Sequence, residues 1–296
     1  MDSSTAPPSA TGPVKSPPTG RVMDVLASLS DSPDGRTSAE LAKSCGISTS
    51  TCALVLAELE QRAWVTRRGD RRYTLGSGLF RLVHGLRVQF PLLDQGREAL
   101  NFLHTTLGAG CSMSKIGHTH LVTVDAVGHG TDGERAVGQR FPIGPPFGLV
   151  AMAWRDEDAV DGWLRRVTPR LTDADIAGHR LVLAQIRDRG YGAWRFDAAH
   201  SSLHERLATV LASLEPTAQV TRELSALMTI VTLQSVTDVL ETELASTEFV
   251  VLPIFGRDGQ PEYQIEIHLG GRDGLILADL DAALLHAQAS LNPGVA

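Results

Sequence analysis

The chain has 296 residues, 43% of them apolar and 21% charged, with a net charge of −7. That length suits about two domains at ~100 to 200 residues each, and the composition excludes wholesale disorder and fibrous repeats. No stretch approaches the ~18 uncharged apolar residues of a membrane span, and the first 20 residues lack the basic patch and apolar core of a signal peptide, so a cytoplasmic protein is expected.

The charge is unevenly spread. Residues 21–92 carry ten Arg or Lys against seven Asp or Glu, whereas residues 93–296 carry sixteen against twenty-six. Five arginines and a single acid lie between Arg62 and Arg72. A small basic module joined to a larger acidic one is a pattern that points to nucleic acid.

Residues 1–20 are rich in Pro, Ser, Thr and Gly and read as a mobile tail. Helical spacing then places Val22, Val25, Leu26 and Leu29 on one face, ending at the turn formers Ser30 to Gly35. Thr37 and Glu40 have the spacing of a capping box for a second helix, with Leu41, Ala42 and Cys45 as its apolar face and Gly46 beyond its end. Ser48 is the expected N-cap of a third helix, in which Cys52, Val55, Leu56, Leu59 and Ala63 form a buried stripe. Trp64 to Leu75 reads as a hairpin around a Gly-Asp turn. Three helices and a basic hairpin make a winged helix-turn-helix over residues 21–80.

Residues 81–107 continue as a helical linker broken once at Pro91. Beyond it, Cys111 to Ile116 with Leu121 to Val127, and Phe249 to Phe255 with Tyr263 to Leu269, read as two hairpins. Helical stretches are expected near 147–166, 172–189, 199–215, 217–243 and 275–290. The fold class is α+β, an antiparallel sheet with flanking helices.

Three segments in the first part, SAELAKSCGISTST (Ser38 to Thr51), LAELEQRAWVTR (Leu56 to Arg67) and RRYTLGSGLFRL (Arg71 to Leu82), resemble the DNA-binding domain of the IclR family of bacterial transcription factors. VGQRFPIGPPFG (Val137 to Gly148), RDRGYG (Arg187 to Gly192) and VVLPIFGRDGQP (Val250 to Pro261) are similar to that family's GAF-like effector domain, placed here at 108–296. Residues from about 196 to 245 look like an insertion relative to the family. The resemblance implies double-stranded DNA and a small-molecule effector as partners and a homodimer or homotetramer; the residues themselves give no motif for a cofactor or a metal.

DNA contact is expected from Thr37, Ser48, Thr49, Ser50 and Thr51 and from the hairpin arginines Arg67, Arg68, Arg71 and Arg72. Where family members commonly carry basic or polar base readers, this chain has Ala53 and Leu54, which removes the bidentate contacts that discriminate most strongly. Affinity should therefore rest on the arginines, with modest discrimination favouring A·T.

The loop that would hold a small carboxylate on backbone N–H groups is Gly144-Pro145-Pro146-Phe147-Gly148, and its prolines lack two of those donors. Two serines are often found in the family where Glu266 and His268 stand. A face made by Ser112, Gly144, Phe147, Trp154, Gln264, Glu266 and His268 suits a neutral or aromatic effector; a solvent-facing strand is the plainer alternative.

His118/His120 and His200/His204 have no accompanying HExxH or cysteine pair, and neither a GxSxG elbow nor a phosphate-binding GxxxxGK[ST] occurs. Two other readings stay open: an enzyme built on Cys111 or a histidine, and a protein-interaction module in which Ala53 and Leu54 dock a partner.

Overall fold

The structure, a computed structural model, describes residues 16–128, 137–145, 147–166, 171–194, 247–270 and 275–291. The expected helices of the insertion, the histidines His200 and His204, and Pro146 lie outside the described residues. The chain divides into two compact units, Met1–Phe90 and Pro91–Ala296.

In the first unit, helix α1 (Pro17–Ser30) starts inside the stretch read as a tail. Pro17 and Pro18 occupy its first turn, where no backbone N–H is needed and the fixed φ of proline suits a helix. Strand β1 (Arg36–Thr37) leads into α2 (Ser38–Ser44), capped by Thr37: the Glu40 amide donates to Thr37 Oγ1, and the Thr37 amide donates to Glu40 Oε2. Helix α3 (Thr49–Gln61) is capped by Ser48, whose Oγ accepts from the Thr51 amide at 3.1 Å. Val25, Leu29, Leu41, Ala42, Cys52, Leu56, Leu59 and Val65 form the core of this unit.

Ala63 departs from expectation. The helix ends at Gln61, and Ala63 is exposed at φ 57°, the left-handed conformation that a turn after a helix usually gives to glycine. The Ala63 amide donates to the Glu60 carbonyl and the Trp64 amide to the Leu59 carbonyl, closing the end of α3. The wing follows as β2 (Val65–Arg67) and β3 (Arg72–Leu75), in a sheet ordered β1-β3-β2. Its exit runs against the same corner: a Cβ on Gly76 would sit 2.3 Å from the Ala63 carbonyl oxygen, so only glycine passes. A short 3-10 turn (Ser77–Leu79) and α4 (Phe80–Gln89) complete the unit.

The helical run expected as one linker is two helices. Phe90, at φ −127° and ψ 72°, lies outside the helical region, as the residue before a proline tends to, and α5 (Leu92–Leu107) belongs to the second unit. There, an antiparallel sheet is ordered β6-β5-β4-β9-β8-β7, from β4 (Gly110–Ile116), β5 (His120–Val127), β6 (Arg140–Pro142), β7 (Gly192–Trp194), β8 (Phe249–Phe255) and β9 (Pro261–His268).

The two faces of this sheet differ. One packs Cys111, Met113, Val250, Leu252, Tyr263, Ile265 and Ile267 on α5 and a last helix, α9 (Leu277–Leu291). Gly96 in α5 permits that approach, since a Cβ there would meet the Met113 methyl at 2.4 Å. The other face meets α6 (Leu149–Met152), α7 (Glu157–Leu164) and α8 (Asp173–Arg189), whose core includes Ile116, Leu121, Phe141, Phe147, Trp163, Leu183 and Val251.

A register shift switches β5 between these faces. Met113 pairs with Asp125 but Ser114 pairs with Thr123, so Val124 is an extra residue, a β-bulge. Asp125 thereby turns to α5, where Arg97 donates to it, while burial pushes the Asp125 carboxyl above its usual range against the pull of that arginine.

Two outcomes follow from these positions. Ala63→Gly relieves the left-handed strain and raises stability by about 0.5 to 1 kcal/mol after the greater unfolded-state freedom of glycine is counted; denaturant melts check it. His179 is buried against Trp163, its Nδ1 donating to the Asp175 carbonyl, and burial depresses its pKa. The unfolded chain therefore binds a proton that the folded chain refuses, and stability falls as pH drops below about 6.5. In His179→Gln, melts at pH 7 and pH 5 should differ by less than in the parent.

Candidate functional site

The basic site is built from α3 and the hairpin beside it. The exposed side of α3 carries Thr49, Ser50, Ala53, Leu54 and Ala57 over its first turns, and Glu58, Glu60 and Gln61 only in its last. Leu54, 75% exposed, is the most exposed large apolar side chain among the described residues. The hydroxyl of Ser48 is taken up locally by the Thr51 amide, with Ser50 Oγ and Thr51 Oγ1 at 2.9 and 2.8 Å. Thr37 is likewise engaged as a cap. Of the five hydroxyl residues expected at DNA, Thr49 and Ser50 stand out on the exposed surface with no capping duty of their own.

The four hairpin arginines differ in what holds them. Arg68 and Arg72 close the turn, the Arg68 amide donating to the Arg72 carbonyl, and Arg71 sits at φ 64°, the left-handed position of a three-residue hairpin loop. Arg71 is exposed and makes no ion pair with any described residue. The Arg68 guanidinium lies 3.9 Å from Asp70, and that of Arg67 lies over the Tyr73 ring at 5.9 Å. Arg72 points inward: its Nη1 donates to the Gly35 carbonyl at 2.8 Å and lies 3.4 Å from Glu40 Oε2. It thereby ties the wing to the start of α2. The bonds from Thr37 first, and then the Arg72 charge, hold the Glu40 carboxyl below its usual range.

The second site is the polar side of the larger sheet. Ser112 pairs with Glu266 and Ser114 with Gln264, while Thr123 lies across from Ser114. These five side chains share one face and are almost fully buried, Glu266 and Gln264 each 5% exposed. The solvent-facing alternative for this strand side is therefore overturned: α6 packs over β8 and β9 here. His268 Nε2 lies 3.1 Å from Glu266 Oε1, and the His268 ring is 6.2 Å from Phe249, which itself stacks on Trp194 at 5.0 Å. Ser112 Oγ, Thr123 Oγ1, Thr247 Oγ1 and Trp194 Nε1 are buried without a hydrogen-bond partner among the described residues. Burial normally demands such partners, so these groups are exceptions to the usual satisfaction of buried polar atoms.

Phe147 and Trp154 belong to the apolar cluster that also holds Trp194 and Phe249 on this side of the sheet. Trp154 stands edge-on to Phe255 at 5.1 Å, six residues along β8 from Phe249, or ~20 Å at strand spacing. Phe147 is core, tilted against Phe141 at 5.5 Å, and its carbonyl accepts from Trp163 Nε1. Gly144 and Phe147 exchange backbone hydrogen bonds, which uses two more amides of the loop considered for anions. Thr123, Trp194 and Phe249 were missed from sequence, because only the register and the bulge place them beside Ser114 and His268.

Cys111 is fully buried and its thiol is pushed up to about 12, the reverse of what a nucleophile needs. Among the described residues no three His, Cys, Asp or Glu side chains gather as a metal site, and no helix is long and apolar enough to cross a membrane.

Residues 17–72 match the model of the MarR family. No curated protein sequence matches the chain. Solved structures do. An IclR transcriptional regulator from Alicyclobacillus acidocaldarius shares 22% identity at a TM-score of 0.50, with 94% of this chain and 98% of that one covered. Thermotoga maritima IclR shares 16% identity at a TM-score of 0.57, covering 93% and 97%. An IclR homolog from Microbacterium hydrocarbonoxydans, complexed with 4-hydroxybenzoate, shares 16% at 0.53, covering 94% and 100%. The chain has the fold of these regulators, with a helix-turn-helix and wing at its N-terminus and a curled antiparallel sheet at its C-terminus.

The arginines separate experimentally. Arg72→Ala removes a tether that is partly exposed, and should cost about 1 kcal/mol of stability in thermal melts. Arg71→Ala should leave stability within about 0.5 kcal/mol of the parent.

Proposed function

We propose that the chain is an IclR-type transcriptional regulator that binds double-stranded DNA through α3 and the wing and responds to a small molecule held on the polar face of the larger sheet. The observation that carries the reading is the pairing of a helix whose exposed face lacks basic residues with a wing whose Arg67, Arg68 and Arg71 project from the hairpin. Such a wing supplies phosphate or minor-groove contacts, which set affinity and its dependence on salt. The MarR family match and the fold of the IclR structures support it.

The protein acts as a homodimer or homotetramer in this reading, since paired half-sites lie about 34 to 36 Å apart and are read by paired helices. The apolar residues that α4 leaves exposed, Phe80, Leu82, Val83, Leu86 and Val88, support self-association. Ligand binding changes DNA affinity, and DNA changes ligand affinity by the same factor.

A protein of this fold is seen with 4-hydroxybenzoate. In this chain the buried Glu266 carboxylate, paired to His268, opposes a second carboxylate and favours a neutral or cationic aromatic molecule. Three probes with one ring, 4-hydroxybenzoate, 4-hydroxybenzamide and 4-hydroxybenzylamine, test this by thermal shift. The amide or the amine is expected to raise the melting temperature and the acid is not.

The regulator reading is tested by fluorescence anisotropy on duplex DNA from upstream of the gene, against a scrambled duplex, across a salt series. The upstream duplex should bind preferentially. Replacing Arg67, Arg68 and Arg71 by Ala should flatten the logarithmic salt slope by about three per protomer. Equal weak binding to both duplexes, with an unchanged slope in the variant, would contradict the assignment.

A further inference from the structure

The first nine residues of α3 present Thr49, Ser50, Ala53, Leu54 and Ala57 along one exposed arc. None of these side chains has the paired donors or acceptors that distinguish guanine, adenine or cytosine bidentately. Four of them end in methyl groups or are a bare methyl. Gln61, the one amide on the arc, lies twelve residues beyond Thr49, ~18 Å along the helix axis, in the same last turn as Glu58 and Glu60. Those acids disfavour a close approach of that end to phosphates, and Glu58 is paired with Arg62 at 2.6 Å. The arrangement suits a helix entering the major groove by its N-terminal turns.

Leu54 is the informative residue. A leucine 75% exposed on a folded helix, beside two alanines and a threonine, forms an apolar surface with basic arginines on the neighbouring hairpin. The major groove offers one apolar group, the C5-methyl of thymine. Charge on the wing selects a polyanion as the occupant, and the apolar arc selects what part of it is read.

Resting on the DNA-binding reading above, we infer that this protein recognises its operator by thymine C5-methyl contacts from Thr49, Ala53, Leu54 and Ala57. Leu54 is the specificity-determining residue. The half-site under the helix is accordingly rich in thymine, and its recognition survives any change that keeps the methyl groups.

The test uses the full-length chain. Duplexes are selected from a random library, and the best is then remade with deoxyuridine in place of thymidine under each helix, which deletes the methyl and leaves base pairing unchanged. Thymine-rich half-sites are expected, with affinity falling about four-fold for each methyl removed. Leu54→Asn, at an exposed position, should keep the parent melting temperature and lose most of the thymidine-over-deoxyuridine preference. A G·C-rich consensus, or equal binding of the two duplexes, overturns the inference while DNA binding stands. No enrichment and no salt-dependent retention of any duplex overturns the DNA-binding reading and this inference with it, and leaves Leu54 as a protein-docking residue.

Discussion

At the corner where α3 passes into the wing, a residue with a β-carbon holds a left-handed conformation and the returning chain is threaded past its carbonyl. Ala63 closes the helix by bonding back to Glu60, and Gly76 runs so near the Ala63 oxygen that a methyl group would not fit. The Gly76 amide donates to the Trp64 carbonyl and the Gly78 amide to that of Ala63. The corner thus fixes the hairpin relative to the helix through backbone, not through adaptable side chains. Arg72 secures the other end of the same hairpin by donating to the Gly35 carbonyl. Helix and wing are held together by these hydrogen bonds, as the proposed DNA contact requires if positioning groups and reading groups sit on different elements.

The second unit solves a different problem with the same economy. One sheet serves two masters because strand alternation sends Tyr263, Ile265 and Ile267 into an apolar layer and Gln264 and Glu266 into a polar one. The bulge at Val124 lets Asp125 meet Arg97 on the α5 side while Thr123 stays on the polar side. A carboxylate and several hydroxyls buried together, some without partners, would be a liability in a purely structural domain. The proposed effector would supply hydrogen bonds to the groups that lack them among the described residues.

Local signals were legible wherever a short stretch decides its own conformation. The caps at Thr37 and Ser48, the alternation of β9 and the hairpin around Gly69 and Asp70 could all be read from residue spacing. Ala63 was misread because its spacing continues the apolar stripe while the backbone stops two residues earlier. Pro17 and Pro18 looked like tail composition, yet proline is favourable in a first helical turn. The polar face was half legible: Gln264, Glu266 and His268 followed from alternation, but Thr123, Trp194 and Phe249 depend on which strands pair and where the bulge falls. Trp154 and Phe147 pack in the cluster on that side of the sheet, against Phe255 and Phe141. Arg72 had the composition of a DNA contact and became a tether, which only the position of Gly35 and Glu40 reveals.

In the proposed function, α3 and the wing form one DNA-facing surface. Hydrogen exchange of the full-length chain, with and without duplex DNA at low salt, reads that surface directly. The Thr51 amide is capped by Ser48 and the Arg68, Arg71 and Arg72 amides are bonded within the turn, so fast exchange in the free protein is expected of Thr49 and Ser50 at the start of α3 and of Gly69 and Asp70 at the exposed tip of the wing. Slowed exchange on DNA at residues 48–53 and 68–72 together is the predicted result. Unchanged exchange in both segments, under conditions where the duplex is bound, would contradict the account.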